Sequence, residues 1–449
     1  MELRFSVRSG TCESAPAVRL RALFRGFLAA ILIQGGCQLR AAQPPSDHIE
    51  LTVAGIGSEA ATRLSREGLD QFSRRTGIQV NFVPVWGTST EQLAVTRRML
   101  ESHSLSPDIY VVDAIWTGTL ARYFLDLKRY LDKDAHTQLP ELLNNDTVDG
   151  HVVALPFYLN VGMLYYRSDL LNKYGYSHPP NTWDEMERMA ARIQRGERAA
   201  GDRNFWGFVF QGASYEGLTC NALEWQMSFG GGHIIEPDGT ITVNNGHTAE
   251  ALRTAAAWVG SISPSSVLAY SEADSLNAFR SGHAAFLRYW SSGYHPIANF
   301  PSMRGRCGVA LLPSGSGRRA LAMGGFQLAV SSYSRHPREA AELVLYLTGS
   351  HVQKSRAVIE GYLPTLPPLY DDPEVLKAVP EARTLRSVGL DSWVSRPSTV
   401  TGIAYADVSR IYYEGVHAVL SRERPVSEAL ASMELQMVGA SPRFHLPRK

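Results

Sequence analysis

The feature that most constrains the fold is a regular alternation of strand-like and helix-like segments that begins near residue 48. In the first segment, 49–53, apolar residues fall at every second position, as a half-buried strand requires. Alternating strands and helices build a mostly parallel, doubly wound sheet, so we predict an α/β fold. The segments are a strand at 49–53, a helix at 59–76 closed by Gly77, a strand at 78–85, a helix from about 89 and a strand at 109–112.

The rest of the chain continues in the same style, without an internal repeat or a long low-complexity linker. Thr182 is placed to cap a helix, and further strands are predicted at 205–210, 284–289 and 309–312. At 449 residues the chain exceeds what one hydrophobic core usually serves. We therefore expect two lobes.

Composition indicates a globular protein and argues against a nucleic-acid partner. Apolar residues make up 44% of the chain and charged residues 19%, so large cores can be buried. Lys and Arg number 44 against 43 Asp and Glu, a formal net charge of +1, whereas nucleic-acid binding normally leaves a basic excess.

The first 42 residues have the layout of a secretory signal peptide. Arg19, Arg21 and Arg25 precede a short apolar stretch at 27–33, and small and polar residues follow it. The apolar stretch is too short to span a membrane permanently. This pattern predicts a periplasmic or otherwise extracytoplasmic protein.

A lipid anchor is one way in which the leader could end. Residues 33–37, IQGGC, resemble a lipobox, in which Cys37 would be lipidated and become the amino terminus. Gln34 departs from that pattern, which wants an aliphatic residue. Cleavage near Ala41 or Ala42, giving a freely secreted protein, is the alternative.

Two cysteines, Cys220 and Cys307, remain after the leader. In an oxidising compartment they could form one disulfide, and two buried thiols are the alternative. The chain has no CxxC pair and no histidine cluster with the spacing of metal ligands, so we predict neither a metal site nor a cofactor.

The segment most typical of an enzyme is the GxGxxA sequence at 55–60, directly after the first strand. A dinucleotide site would also need an acidic residue at the end of the second strand, and that strand ends in FVPV. A tight strand-to-helix turn at a ligand cleft fits the glycines better. GxSxG, HExxH and P-loop motifs are absent from the sequence.

Several segments together resemble the extracellular solute-binding proteins (family 1) of carbohydrate ABC importers, the group that includes maltose- and trehalose-binding proteins. The resemblance extends from about residue 49 to the last helices. Its motifs are SPDIYVVD at 106–113, LPFYLNVGMLYYR at 155–167, PNTWDE at 180–185, FRSGHAAF at 279–286 leading to Trp290, GGF at 324–326 and GYLPT at 361–365.

The resemblance implies a two-lobed periplasmic-binding-protein fold with a multi-strand hinge and a ligand cleft between the lobes. By analogy the first lobe combines residues 48–157 with 306–350, and the second combines 158–305 with 351–449. The implied function is capture of a di- or oligosaccharide, an α-glucoside such as trehalose or maltose, by hinge closure. The sugar is then delivered to an ABC permease by a monomeric protein that is not an enzyme.

Sugar-binding sites combine polar side chains, which form hydrogen bonds with pairs of hydroxyl groups, with aromatic rings, which stack on the apolar faces of the sugar. Asp113 ends a hydrophobic strand, where α/β sheets place ligand contacts, and capping of the next helix is its alternative role. Asn160 stands where maltose-binding relatives carry an acid, so the geometry need not transfer. Trp290 is the foremost stacking candidate, followed by Tyr158 and Trp225, for which core packing is the alternative.

The remaining candidates also have two interpretations each. Glu224 is either a sugar ligand or a solvated helix charge. Ser58 and Glu59 lie at the first strand-to-helix turn and could equally cap the helix. Gly324 and Gly325 allow close approach of the backbone to a ligand or form a hinge turn. Arg396 resembles a late arginine that trehalose-binding relatives use on the sugar, with surface solvation as its alternative.

Two other functions stay open. A carrier for a solute such as glycerol phosphate would need an arginine cluster, and none is evident in the sequence. A secreted glycosidase would need two carboxylates facing each other across the cleft, and Asp113 with Glu224 is the pair to test.

Overall fold

The computed structural model describes residues 48–56, 59–131, 138–388 and 392–447. The leader at 1–42, its cleavage site and Cys37 lie outside these residues. The strands of the described residues are β1 Glu50–Ile56, β2 Gln79–Val85, β3 Ile109–Asp113, β4 Thr147–Val148, β5 His151–Val152, β6 Leu155–Arg167, β7 Trp206–Val209, β8 Ala284–Trp290, β9 Cys307–Leu311, β10 Leu321–Val330 and β11 Trp393–Val394.

Helices account for most of the remaining described residues. They are α1 Glu59–Thr76, α2 Ser89–Glu101, α3 Thr117–Leu120, α4 Pro140–Asn145, α5 Ser168–Lys173, α6 Trp183–Ala199, α7 Glu216–Ser228, α8 Gly246–Trp258, α9 Glu272–Arg280, α10 Tyr294–Ala298, α11 Pro337–Thr348, α12 Ser350–Glu360, α13 Pro373–Ala378, α14 Pro380–Val388, α15 Ser398–Thr401, α16 Tyr405–Leu420 and α17 Val426–Ala440.

Local chemistry sets the ends of several elements where the sequence predicted them. Gly77, directly after α1, has φ of +76°, a conformation that costs a glycine little. Thr88 forms a reciprocal capping box with Glu91 at the start of α2. Thr182 accepts a hydrogen bond from the Glu185 amide and begins α6, so its predicted role as a cap is confirmed.

The large sheet is mixed, which corrects the expectation of a mostly parallel one. Its strand order is β2-β1-β3-β10-β6-β8-β7, with β9 also paired to β6 and β11 to β10. β1 is parallel to both β2 and β3, and β7 is parallel to β8. The central strands β10 and β6 run antiparallel to each other, and each is antiparallel to its outer neighbour. Local periodicity predicts strands but not the direction in which distant strands meet.

The buried side chains form cores at two ends of this sheet. At one end, alternate residues of β3 serve opposite faces: Ile109 and Val111 pack in one cluster, and Tyr110 and Val112 in another. We call the part built on these two clusters the first lobe. A single larger cluster, which includes Met163, Trp183, Phe208, Trp225, Phe286 and Val408, forms the second lobe.

Two long strands belong to both lobes. In β6, Leu155 and Phe157 pack in the first lobe, and Val161 and Met163 pack in the second. In β10, Leu321 packs in the second lobe and Leu328 in the first. The two strands pair from Met323–Val161 to Leu328–Leu155, with a register shift after Phe326. This antiparallel pair is the hinge that connects the lobes.

β9 and α15 lie beside the hinge strands. β9, at Cys307–Leu311, pairs with the second-lobe half of β6, Met163–Arg167, and its Val309 and Leu311 pack against the second-lobe cluster. The short helix α15 packs against α3 of the first lobe, although the long helix that follows it, α16, packs mainly against α17, α7 and α8. Within the described residues, no helix is both long and apolar enough to cross a membrane.

Candidate functional site

Asp113 lies at the carboxyl end of β3 and is almost completely buried. Its Oδ2 accepts a hydrogen bond of 2.7 Å from the Ser89 hydroxyl, at the start of α2. Its Oδ1 accepts from the Ile115 amide at 3.3 Å and from Arg396 Nη2 at 3.3 Å. The carboxylate is therefore held on three sides, at the edge of the sheet where α/β proteins bind ligands.

Asn160, Gly324 and Trp290 lie in neighbouring strands near the centre of the hinge. Gly324 is the register partner of Asn160, and Trp290 ends the next strand, opposite Gly162. Asn160 Oδ1 accepts from the Ser291 hydroxyl at 3.2 Å and from the Ser292 amide at 3.1 Å. The structure thus brings together three residues that the sequence analysis singled out separately.

The indole of Trp290 is half-buried between groups that hold it in place. The Arg288 guanidinium carbon lies 4.3 Å from the ring centroid, a cation–π arrangement. A β-carbon added at Gly324 would lie 3.0 Å from the Trp290 ring, so the glycine leaves the space that the ring uses. The indole nitrogen is 3.5 Å from Glu272 Oε1, and the Tyr215 hydroxyl donates to the other oxygen of Glu272 at 2.5 Å.

Arg396 is buried and bridges the lobes, so surface solvation is the wrong interpretation of this residue. Its Nη1 donates to Glu216 Oε1 at 2.8 Å, and its Nη2 donates to Asp113 Oδ1 at 3.3 Å and to the Met323 carbonyl at 3.4 Å. One guanidinium thereby contacts a carboxylate from the first lobe and a carboxylate from the second. Guanidinium groups suit this role because their donors form a rigid planar fork.

Glu216 is a central residue that the sequence analysis missed. Besides Arg396, it accepts hydrogen bonds of 2.6 Å from the Tyr405 hydroxyl and of 2.6 Å from the Ser409 hydroxyl. Burial raises the pKa of this carboxyl, and the Arg396 guanidinium opposes that rise. A signal was present in the sequence: the 13-residue segment of α7 contains two charged residues, Glu216 and Glu224, among otherwise uncharged ones.

A small cavity lies beside this network. Its volume is about 30 Å³, and Glu216 is one of the residues that line it. The lining residues are Ser89, Thr90, Leu93, Ile115, Trp116, Glu216, Tyr405, Ala406, Ser409 and Tyr413. Of the two carboxylates that Arg396 contacts, Glu216 therefore also borders this cavity.

Glu224 and Trp225 lie in the core of the second lobe, and each side chain is 0% exposed. Glu224 accepts from Arg288 Nε at 2.8 Å and from the Ala322 amide at 3.1 Å, so the alternative of a solvated helix charge is wrong. Burial raises the pKa of Glu224, and Arg288 opposes it. The Trp225 ring packs edge-on against Phe210 and Trp258. Neither side chain presents surface to the cleft in this conformation.

Tyr158 and Gly325 are structural members of the hinge in this conformation. The Tyr158 ring is buried against Tyr362 and Phe326, with centroid distances of 4.3 and 5.5 Å, and burial raises its pKa. Gly325 has φ of +122°, and an added β-carbon would lie 2.3 Å from the Tyr158 carbonyl oxygen. Any other residue at position 325 would disturb the pairing of β10 with β6.

The structure also places the remaining predicted residues. Cys220 is buried in α7, and Cys307 is half-buried at the start of β9. Both are free thiols, so the prediction of a disulfide is wrong and the alternative of two unpaired thiols holds. Ser58 lies outside the described residues. Glu59 begins α1, as predicted, and its role toward a ligand stays a prediction.

Trp86 is a further aromatic residue that the sequence analysis did not single out. It follows β2 directly and is 62% exposed, which is unusual for a tryptophan. It stands three residues before Ser89, whose hydroxyl donates to Asp113. A lone tryptophan in a turn carries no periodic signal, so only its exposure in the fold marks it.

The chain is similar to known bacterial proteins over most of its length. Residues 68–384 match a family described as bacterial extracellular solute-binding protein. A relative from Deinococcus radiodurans, named as a probable ABC transporter-binding protein, is 42% identical over 381 residues. The matched region covers 83% of this chain and 89% of the relative.

Solved structures resemble the chain over most of its length. Maltose-bound T. maritima MalE3 matches with a TM-score of 0.80 and 30% identity, covering 88% of this chain and 100% of that one. An ABC transporter solute-binding protein of Agrobacterium radiobacter K84, in complex with ribitol, matches with a TM-score of 0.75. Its identity is 21%, and the match covers 89% of this chain and 100% of that one. The second likeness shows the fold alone.

Proposed function

We infer that this chain, which belongs to the family of bacterial extracellular solute-binding proteins, is the sugar-binding component of an ABC importer. It has the two-lobed periplasmic-binding-protein fold, with a ligand cleft between the lobes. Proteins of this family act outside the cytoplasm, bind solutes and pass them to a permease. We propose no bond-making step for this protein.

The observation that carries the proposal is the meeting of Asp113, Asn160, Trp290 and Arg396 around the hinge. Carboxylate, amide and guanidinium groups can hold pairs of sugar hydroxyls, and an indole can stack on a sugar ring. These groups come from both lobes, so a ligand that contacts all of them favours the closed arrangement of the lobes. A di- or oligosaccharide with several hydroxyls and apolar ring faces fits this set.

The proposed ligand is an α-glucoside such as maltose or trehalose. MalE3, which is 30% identical to this chain, is described as maltose-bound. The other relative described above is in complex with ribitol, a linear polyol, so polyols belong in any ligand panel. The ligand residues that we propose are Asp113, Asn160, Trp290, Arg396 and the backbone at Gly324, with Trp86 as an added stacking surface and Ser58 and Glu59 as predicted neighbours.

The two competing functions receive no support from the structure. The glycosidase hypothesis rested on Asp113 and Glu224 facing each other across a cleft, and Glu224 is 0% exposed and paired with Arg288. The glycerol phosphate hypothesis needs cationic groups free to bind an anion, and Arg396 is already shared by two carboxylates. Lipid anchoring through Cys37 and a monomeric state stay part of the proposal.

Titration calorimetry against a panel of maltose, trehalose, maltotriose, ribitol and mannitol tests the proposed function. We expect saturable binding of at least one α-glucoside, in the micromolar range that about −8 kcal/mol of binding free energy gives, without turnover. Product analysis after prolonged incubation checks for hydrolysis. Absence of binding across the whole panel, or hydrolysis of any member, would contradict the proposal.

Replacing Trp290 tests the site itself. We expect Trp290→Ala to weaken sugar binding about tenfold or more, because the stacking surface is lost and aromatic pairs contribute about 1 kcal/mol beyond burial. Trp206→Ala is the matched control, since Trp206 is also half-buried beneath an arginine, Arg198, but lies on β7. Equal affinities of the two variants would remove Trp290 from the site.

A further inference from the structure

The charges around Arg396 do not balance. Arg396 pairs with Asp113 and with Glu216, so two carboxylates share one guanidinium. Both oxygens of Glu216 accept hydrogen bonds, from Arg396 and Tyr405 on one and from Ser409 on the other, as an ionised carboxylate would. The cluster of Asp113, Arg396 and Glu216, which we call the bridging triad, therefore carries a formal charge of −1.

A further negative charge, that of Glu272, lies beside Trp290, the proposed stacking residue. Glu272 accepts from Tyr215 and approaches the Trp290 indole nitrogen, and no cation of the described residues lies within salt-bridge distance of it. The nearby Arg288 is fully buried and is paired with Glu224. The wall around Trp290 thus adds a negative charge to that of the bridging triad.

The free donors of Arg396 are also few. Nη1 and Nη2 are both used, by Glu216, by Asp113 and by the Met323 carbonyl. Nε is buried and has no partner among the described residues. Of the five N–H donors, one on Nη1 and the one on Nε stay unused. An anionic ligand would therefore meet two carboxylates and at most two free N–H groups, whereas hydroxyl groups could donate to the carboxylates in charge-assisted hydrogen bonds.

From this arrangement we propose that Glu216 is a specificity-determining residue, which positions Arg396 and neutralises it so that the cleft accepts uncharged sugars and rejects anionic ones such as aldonates and sugar phosphates. The proposal rests on the proposed sugar-binding function and names its substrate class. Rejection arises because a near-isosteric anion leaves like charges facing each other in a partly desolvated cleft. Glu216 needs no contact with the sugar, because it acts through Arg396.

Matched pairs of neutral and anionic sugars test the proposal with the full chain. The probes are maltose with maltobionate and trehalose with trehalose 6-phosphate, measured by calorimetry. We expect the wild-type protein to bind the neutral member and to bind the anionic member at least about a hundredfold more weakly. Glu216→Gln should reduce that ratio about tenfold or more, because it removes one negative charge near the ligand.

Asp169→Asn is the matched control for this experiment. Asp169 also pairs with a buried arginine, Arg167, but that arginine otherwise donates to the Gly282 carbonyl, at the opposite end of β8 from Trp290. We expect this variant to lose stability while the ratio of anionic to neutral affinity stays unchanged. A merely structural role of Glu216 would give the same result in both variants and would overturn the proposal.

Salt dependence of the wild-type protein supplies a measurement that does not depend on a variant folding. Raising ionic strength from about 0.01 M to about 1 M shortens the screening length from about 30 Å to about 3 Å. We expect anionic sugars to bind more tightly at high salt and neutral sugars to be unaffected. If a neutral sugar binds, but Glu216→Gln leaves the ratio of anionic to neutral affinity unchanged and salt has no effect, this inference alone is overturned. If no neutral sugar binds, the proposed function is overturned with it.

Discussion

Buried ionisable residues in this protein fall into two kinds with opposite energetics. Glu216 and Glu224 each face an arginine, which compensates part of the cost of removing a charge from water. Glu381, at the start of α14, is 2% exposed, and no side chain of the described residues donates a hydrogen bond to either of its oxygens. Burial raises the pKa of Glu381 to about 8.

The raised pKa of Glu381 predicts a pH-dependent stability. The folded-state pKa of about 8 lies above the unfolded value near 4.5, so the folded protein holds the proton more tightly. The resulting stabilisation is complete below about pH 4.5 and is lost as pH rises through 8. We expect Glu381→Gln to have a higher melting temperature than the wild-type protein at pH 8.5. The melting temperature of this variant should also fall less between pH 5 and 8, because position 381 no longer releases a proton.

The control for this prediction is Glu91, whose pKa is shifted in the opposite direction. Glu91 accepts hydrogen bonds from Thr88 in the capping box of α2, and these lower its pKa. Its stabilisation is therefore present above the unfolded pKa and is lost as pH falls through the folded one. Glu91→Gln should lower the melting temperature at neutral pH. If Glu381→Gln also lowered it at pH 8.5, ionisation of Glu381 would not be costly in the folded protein.

Among the elements, α7 shows how two charges can orient a whole helix. Its two glutamates are eight residues apart, so they lie on one face of the helix. Each meets an arginine from a different element: Glu224 meets Arg288 of β8, and Glu216 meets Arg396, just after β11. The helix is otherwise uncharged and buried along its whole length, so these two contacts orient it toward β8 on one side and the segment after β11 on the other.

A glycine in β6 makes room for one of these contacts. A β-carbon added at Gly162 would lie 1.9 Å from Glu224 Oε1 and 2.8 Å from Arg288 Nη2. We expect Gly162→Ala to destabilise the protein by about 3 kcal/mol or more, because breaking a buried ion pair leaves uncompensated charge. Urea unfolding measures the change.

Gly439 provides the matched glycine for comparison. It lies in α17, and an added β-carbon would have no neighbour within 4 Å. Gly439→Ala should stabilise the protein by about 0.5–1 kcal/mol, since alanine loses less backbone freedom in a helix. Similar unfolding free energies for the two variants would show that the Glu224–Arg288 pair tolerates displacement.

At the scale of the whole molecule, the hinge strands and the bridging triad both connect the two lobes. β6 and β10 connect the lobes by continuous strands, which can bend without losing their pairing. Arg396 then joins the lobes directly, through Asp113 on one side and Glu216 on the other. A ligand that binds Asp113, Asn160 and Trp290 together favours the closed arrangement by its differential affinity for it.

Solution scattering tests this coupling. We expect the radius of gyration to fall when the full chain is saturated with the sugar that binds best in the calorimetric panel, because the lobes close on the ligand. A sugar from the panel that does not bind should leave the curve unchanged. An unchanged radius of gyration with the bound sugar would show that binding does not require hinge closure.

The sequence by itself determined the local elements and one edge of the site. Periodicity and capping chemistry are read from neighbouring residues. For this reason α1 and β1 to β3 lie close to their predicted bounds, α2 and α6 begin where predicted, and Asp113 ends β3 as expected. The family motifs then predicted the two-lobed fold, which the solved relatives share.

Only the tertiary structure decided the direction of the central strands and the partners of the charged residues. Glu216 meets a residue 180 positions away, and Asp113 meets Arg396 across 283 positions. Contacts at such separations leave no mark in local periodicity, so Glu224 and Trp225 could be expected in the cleft although burial places them in the core. Charge balance around a site is a property of packing, because it depends on which residues the fold removes from water together.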